Sequence, residues 1–378
     1  PHTPCPGQAR RASSRPFFQM HKALPEPLDL NRLRVLPLAE RKSLTRCEDI
    51  LLPPEATPEP LPVGMSQEVE RAAGKIRDAR NRGASVLLLY GAHLLRNGAA
   101  LLMDRLLEGG WITHLATNGA GSIHDWEYAW LGASTESVEA NVATGTFGCW
   151  EETGTCLHLA LMAGALEGLG YGGALGRFIH EDGVPLPDPA ALEEDIRREP
   201  GHTLTGARVE LLAHLRRHGL CGGWFRKEHR WKHASIFESA WRHKVPLTVH
   251  PGIGYDIISN HPAFNGAVLG RAAERDFRLF GASVEGLDGG VVLSIGSAVM
   301  GPQVFEKSLS CVNNLRLQAD RPIVSGHTIF VVDLQDGGGW DWSTGEPPKQ
   351  HPAYYLRFCK SFSRMGAPMH YLLSLIHI

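Results

Sequence analysis

The sequence predicts an α/β fold with a mainly parallel sheet and helices on both faces. Three observations carry it. Val86–Tyr90, Trp111–Ala116, Pro246–Val249, Gly290–Ile295 and Ile329–Leu334 are apolar runs of buried-strand length, too short for core helices. Segments with helical spacing alternate with them, the rhythm of strand–helix–strand units. Most of the runs end in glycine plus polar residues, as expected where ligands sit at the carboxyl ends of parallel strands.

The organising stretch is 86–125. After Val86–Tyr90 come Gly91-Ala92-His93, and leucines at 94, 95, 101, 102, 106 and 107 predict a helix that Gly109-Gly110 ends. The strand Trp111–Ala116 follows, then the glycine turn Asn118-Gly119-Ala120-Gly121 and Ser122-Ile123-His124-Asp125. A short return between parallel strands implies a right-handed crossover.

Residues 1–19 are rich in proline and arginine and have no apolar core of a secretory signal, so Met20 is the expected start. Residues 1–65 read as a flank and an extended arm, with Leu28–Pro60 wrapping the body between prolines. Ser66–Gly83 predicts an amphipathic helix with Ser66 as its N-cap. Residues 66–364 read as one nucleotide-binding domain with a polar insert at 176–243. Thr153–Leu169 predicts a helix packed on the sheet, Gly170–Gly176 a flexible or closely packed cluster, and Ile179–Asp182 a loop. Helices are expected near 190–198, 208–219, 235–243, 264–280, 302–311 and 351–364. The tail 365–378 supports no reading.

The 378 residues are 43% hydrophobic and carry a formal net charge of −2, enough for a large core and without the charge excess expected of a nucleic-acid or membrane-surface binder. No apolar run reaches the roughly 20 residues of a membrane span. Seven scattered cysteines, an odd number without a CxxC pair, argue against a disulfide framework and for reduced thiols in the cytoplasm.

The glycine turn after Ala116 could offer backbone N–H groups to a phosphate, or could be a plain tight turn. Gly252–Gly254 and Gly296–Gly301 have the same character. His124 suits proton transfer, and Asp125 suits orienting it, binding a ribose hydroxyl or capping a helix. His250 and Asp256 follow a strand and are cleft candidates. Trp340 and Trp342, among glycines and aspartates, read as an aromatic wall for a ring or a cation, or as core. His180-Glu181-Asp182 could bind a metal, but no partner lies at HExxH spacing. By itself, Lys360 reads as a solvated charge.

The order of these motifs resembles the deoxyhypusine synthase family over roughly residues 66–364. The motif running from the first strand matches Tyr90–Gly98. The family's Thr-Thr-Ala-Gly-Gly with its acidic cluster matches Thr117–Gly121 and the residues to Asp125. His250–Asp256, Ile295–Val299 and Arg357–Lys360 match the later motifs in sequence. The resemblance implies a Rossmann-like fold that binds NAD, a homotetramer, and alkylamine transfer through an imine on a lysine, here Lys360. It implies His124 or His250 as proton carrier, and Gly91, Ala92, Thr117, Gly119, Gly121, Asp125, Asp256, Gly296 and Ser297 around the dinucleotide. Trp340, Trp342 and Gln303 would face a small amine substrate. Two acids of the family's cluster are replaced by Ile123 and His124, and its catalytic histidine by Gln303, so the expected substrate is altered from spermidine. The alternatives are a non-catalytic nucleotide-binding regulator and a metal-dependent hydrolase built on His180 and Glu181.

Overall fold

The computed structural model describes residues 24–58 and 60–373; the expected start at Met20 and the last five residues lie outside them. The arm enters through β1 (Thr45–Arg46) and α1 (Cys47–Ile50), then α2 (Val63–Asn81). The central units are β2 (Val86–Tyr90), α3 (Ala92–Arg96), α4 (Ala100–Glu108), β3 (His114–Thr117), α5 (Gly119–Leu131) and β4 (Ala133–Ser134). Next come α6 (Val138–Thr144), α7 (Glu151–Leu166), α8 (Tyr171–His180), β5 (Gly183–Leu186), α9 (Pro189–Arg198), α10 (Thr205–His218) and β6 (Gly223–Arg226). The last third holds α11 (Ile236–Arg242), β7 (Leu247–Val249), α12 (Gly266–Glu285), β8 (Val291–Ile295), α13 (Met300–Gln318), β9 (Thr328–Asp333), α14 (Arg357–Ser363) and β10 (Met369–Leu373).

Six strands form one parallel sheet in the order β10-β9-β8-β2-β3-β7. Starting from β2, the chain adds β3 and β7 on one side. It then returns to add β8, β9 and β10 on the other. The order therefore reverses between β2 and β8, which is the doubly wound, Rossmann-like arrangement.

Both faces of β2 are buried, and its side chains alternate between two cores. Val86, Leu88 and Tyr90 join the larger core with α4, α5, α7, α8 and α11. Leu87 and Leu89 join the smaller one with Phe280 and Val284 of α12, Phe305 of α13 and Phe362 of α14. Each buried leucine contributes roughly 1.5–3 kcal/mol, which is why an unbroken apolar run is stable here as a strand.

Several expectations are corrected. The helix expected over Leu94–Leu107 is two helices, broken at Asn97–Ala99. Ser66 lies inside α2, whose N-cap is Pro62. Asn118–Gly121 opens a helix: Asn118 is the N-cap of α5 and accepts from Gly121 N–H at 2.9 Å. Tyr171–Gly176 and Ile179-His180 belong to α8, with Gly170 as its N-cap. The insert is part of the core, since Phe178, Ile179, Leu211, Leu215 and Phe237 are fully buried in it. The tail set aside in the sequence supplies β10, paired in parallel with β9 from Met369 to Leu373. Among the described residues no helix is long and apolar enough to cross a membrane.

Candidate functional site

The reversal point is built from backbone. Gly91 N–H donates to Ile295 O and Gly296 N–H to Val332 O, so the ladder runs to the strand tips. Gly91 then passes so close to β8 that a Cβ there would collide with the Gly296 carbonyl. A cavity of about 640 Å³ opens beside this contact, over the ends of β2, β8 and β9. That size suits a small-molecule site. Leu52, Leu94, Ile295, Ala298, Val332 and Leu334 supply its apolar lining, and His93, Asn97, Asp333 and Gln335 its polar groups.

His93 was legible in the sequence only as a residue at a strand end. Its Nδ1 is buried and has no hydrogen-bond partner among the described residues. Burial pushes its pKa below the ordinary histidine value; Arg96 lowers it further and Asp333 opposes both. At neutral pH the ring is therefore uncharged and offers a lone pair. Asn97 is fixed by donating to the His93 carbonyl at 2.7 Å. One Asp333 oxygen accepts from the N–H groups of Leu334 at 2.8 Å and Gln335 at 3.2 Å.

The residues expected around a dinucleotide divide. Gly91 and Gly296 form the reversal point itself. Ala92 is the first residue of α3. Ser297 is buried and accepts from Gly301 N–H at 3.0 Å, which fixes the entry to α13. Thr117 and Gly121 are packing positions: the Thr117 hydroxyl donates to Tyr90 O at 2.9 Å, and Gly121 lies against its side chain. Gly119 lies against the Asp256 carboxylate. Gly252 N–H donates to Asp256 Oδ2 at 2.7 Å, and the backbone at Gly119 and Ala120 faces the same carboxylate and favours its charged form. Burial raises the Asp256 pKa against those bonds. The start of α5, the expected phosphate seat, thus receives an anion from its own chain.

Asp125 is a correction. It is fully buried and accepts from the Ser235 hydroxyl and from Ile236 N–H at 2.7 Å, tying α5 to the start of α11. Desolvation pushes it up to about 7, with those hydrogen bonds opposing. It is spent on structure; its closeness to the glycine turn and the motif resemblance had suggested a ligand role.

The two histidines expected to carry protons sit in different settings. His250 is buried. Its Nε2 is 3.1 Å from the Thr248 hydroxyl, which is 3.0 Å from His114 Nε2, and desolvation holds His250 near 4. This chain lies under the β3–β7 edge. His124 is half-buried on α5, with Nδ1 2.7 Å from the Ser134 hydroxyl. Ser134 reaches Glu127 Oε2 at 2.5 Å, and Glu127 Oε1 is held by Arg41 at 2.8 Å and by Thr153 at 3.0 Å. An ionised carboxylate only accepts, so Ser134 donates to Glu127 and accepts from His124 Nδ1–H. The lone pair of neutral His124 is therefore on Nε2, and burial keeps its pKa near 4. Thr135, next in the chain, has φ +66°, a strained conformation for a β-branched residue.

The remaining predicted residues lie outside the cavity lining. Lys360 Nζ is 3.4 Å from the centre of the Tyr354 ring and 3.9 Å from Glu346. Gln303 is exposed on α13. Trp342 is core, its indole N–H given to Gly337 O, and Trp340 gives its own to Gly345 O; the pair folds its own loop and is not a wall of the cavity. His180 pairs with Glu238, Glu181 with Arg177 and Asp182 with Lys232. No cluster of three or more potential metal-ligating His, Cys, Asp or Glu residues occurs among the described residues.

No family model matches this chain, nor does any curated relative. Among solved structures it is similar to ArgZ, an arginine dihydrolase of cyanobacteria, at 12% identity and TM-score 0.35, covering 82% of this chain and 30% of that one. A LOR/SDH-type protein of Methanococcus maripaludis S2 gives 11% identity and TM-score 0.36 over 90% of this chain and 72% of that one. A proposed deoxyhypusine synthase of Entamoeba histolytica gives 10% and 0.28 over 66% of each. The chain spans under a third of the ArgZ chain. These are distant likenesses in chain trace; the fold assignment rests on the strand order.

Proposed function

We propose that the protein binds NAD across the cleft between the ends of β2 and β8 and oxidises a small amine there. The observation that carries this reading is the cavity of about 640 Å³ at the point where the strand order reverses. The donor set fits such a ligand: close backbone approach at Gly91 and Gly296, amide and carboxylate groups at Asn97 and Asp333, and a buried unpartnered nitrogen on His93. When bound, NAD supplies a two-electron acceptor.

The chain's own residues have separate work. Asp333 attracts an ammonium group to the cavity. An amine must lose its extra proton before it can be oxidised, and neutral His93 accepts that proton at its lone pair. The apolar lining excludes water. The finer reading is deoxyhypusine synthase-like transfer of an alkylamine through Lys360, in a homotetramer. It draws on the order of the sequence motifs. The place of Lys360, against Tyr354 and Glu346, instead favours a second reading, a nucleotide-binding regulator without catalysis.

Calorimetry with NAD, followed by NADH absorbance over a panel of polyamines, tests these readings. Binding with NADH formation supports the enzyme, and His93→Asn should then keep NAD binding and lose turnover. Binding without NADH formation on any amine supports the regulator. No binding refutes both.

A further inference from the structure

A second cavity, of about 740 Å³, opens at the other end of the sheet, at the N-terminal end of β7. Its walls are apolar, with Leu169, Trp241, Leu247 and Leu279 among them. Three exposed cations line it: Lys244, Arg275 and Arg278. Glu274 engages Arg278 at 3.4 Å. Among the described residues, neither Lys244 nor Arg275 has a carboxylate within ion-pair distance.

The one carboxylate in the lining, Asp276, is buried, and its Oδ1 has no hydrogen-bond partner among the described residues. Its Oδ2 accepts from Val249 N–H at 2.7 Å and Gly172 N–H at 2.9 Å. Burial pushes it up to about 7, so near neutral pH it is partly uncharged and opposes a neighbouring anion only weakly. Lys244 has φ +57° just past the end of α11. Glycine is the usual residue in that left-handed position, and a lysine there is strained.

We infer that this cavity binds a small amphipathic anion, with its apolar body on Trp241 and Leu247 and its carboxylate or phosphate headgroup between Lys244 and Arg275. Unlike the cleft at the strand tips, this site needs no nucleotide and stands independently of the proposed function.

The test is calorimetry of the full chain with decanoate, decyl phosphate and decanol. Saturable binding of either anion, at least about tenfold tighter than decanol, is the expected result, because a charge-assisted hydrogen bond is worth about that much. Gly173→Leu should abolish binding. A Cβ at Gly173 fits, its nearest neighbour being Leu169 Cδ2 at 3.6 Å, and the rest of the leucine fills the cavity. Lys244→Gly relaxes the backbone, so it should weaken anion binding about tenfold without lowering the melting temperature. Arg275→Gln, at an exposed position, should weaken it similarly and keep the fold. NAD should not displace the anion. No saturable binding, equal affinity for decanol, full binding by Gly173→Leu, or displacement by NAD would each overturn the inference.

Discussion

His114 offers the sharpest test of how this interior responds to acid. The imidazole is fully buried between β3 and α12, with Nδ1 2.7 Å from the Ser283 hydroxyl and Nε2 3.0 Å from the Thr248 hydroxyl. Desolvation, with His250 adding to it, holds its pKa near 3, against an ordinary histidine value of 6.5. The folded protein therefore binds fewer protons here than the unfolded chain. Stability is full above 6.5 and is lost as pH falls toward 3. From 6.5 down to pH 5 the loss from this one group is about 2 kcal/mol, at roughly 1.4 kcal/mol per pH unit. His114→Gln keeps a bond to Thr248, gives up the one to Ser283 and removes the titration. At pH 7.5 it should destabilise by about 1–3 kcal/mol. At pH 5 that penalty should shrink by about 2 kcal/mol, because only the wild type still has a ring to protonate. Urea unfolding of both proteins at the two pH values measures the difference of differences. A penalty that stays the same at both would show that His114 is not held neutral, and the reasoning from its burial would fail.

Further outcomes follow from the site. Gly91→Val places branched carbons against the Gly296 carbonyl; it should abolish NAD binding by calorimetry and destabilise the fold by about 1–3 kcal/mol. Ser134→Ala removes the acceptor that fixes the His124 tautomer; nitrogen NMR should show the Nδ1 proton in the wild type and a tautomer mixture in the variant, and a mixture in both would contradict the assigned donor order. Arg41→Met leaves Glu127 buried without its cation and should cost about 3–5 kcal/mol in urea unfolding. Lys360→Ala should leave NAD affinity unchanged, since Lys360 does not line the cavity; if the transfer chemistry holds, turnover alone disappears.

The sheet was legible where burial is two-sided. Val86–Tyr90 is an unbroken apolar run and Val291–Ile295 is interrupted only by the buried Ser294, because helices cover both faces, and the bounds expected from the sequence are nearly those observed. β10 was missed because Met369-His370-Tyr371-Leu372-Leu373 is an edge strand with polar interruptions in a stretch set aside as a tail. The carboxyl-end cleft was legible from Gly91 and Gly296, since glycine after an apolar run signals close backbone approach. Its chemistry was not. His93 and Asp333 lie far apart in sequence and face one cavity only because β2 and β9 flank β8. Asp125 shows the reverse: it stands beside a glycine turn, yet the side chain points into a helix junction, because one residue along a helix turns the direction by about 100°.

The carboxylate of Asp256 at the start of α5 has a consequence for how ligands compete. It sits on the loop after β7, far along the chain from α5, and the fold holds it against that helix end, with Gly252 N–H donating to it and the backbone of Gly119 and Ala120 beside it. A tethered group acts at an effective concentration of millimolar or above. A phosphate arriving from solution must therefore displace a competitor that never dilutes. The start of α5 is in this sense a poor seat for a phosphate from solution. Asp256→Asn would remove the competitor's charge while keeping its shape, and should open a second, weaker phosphate site on the same protein.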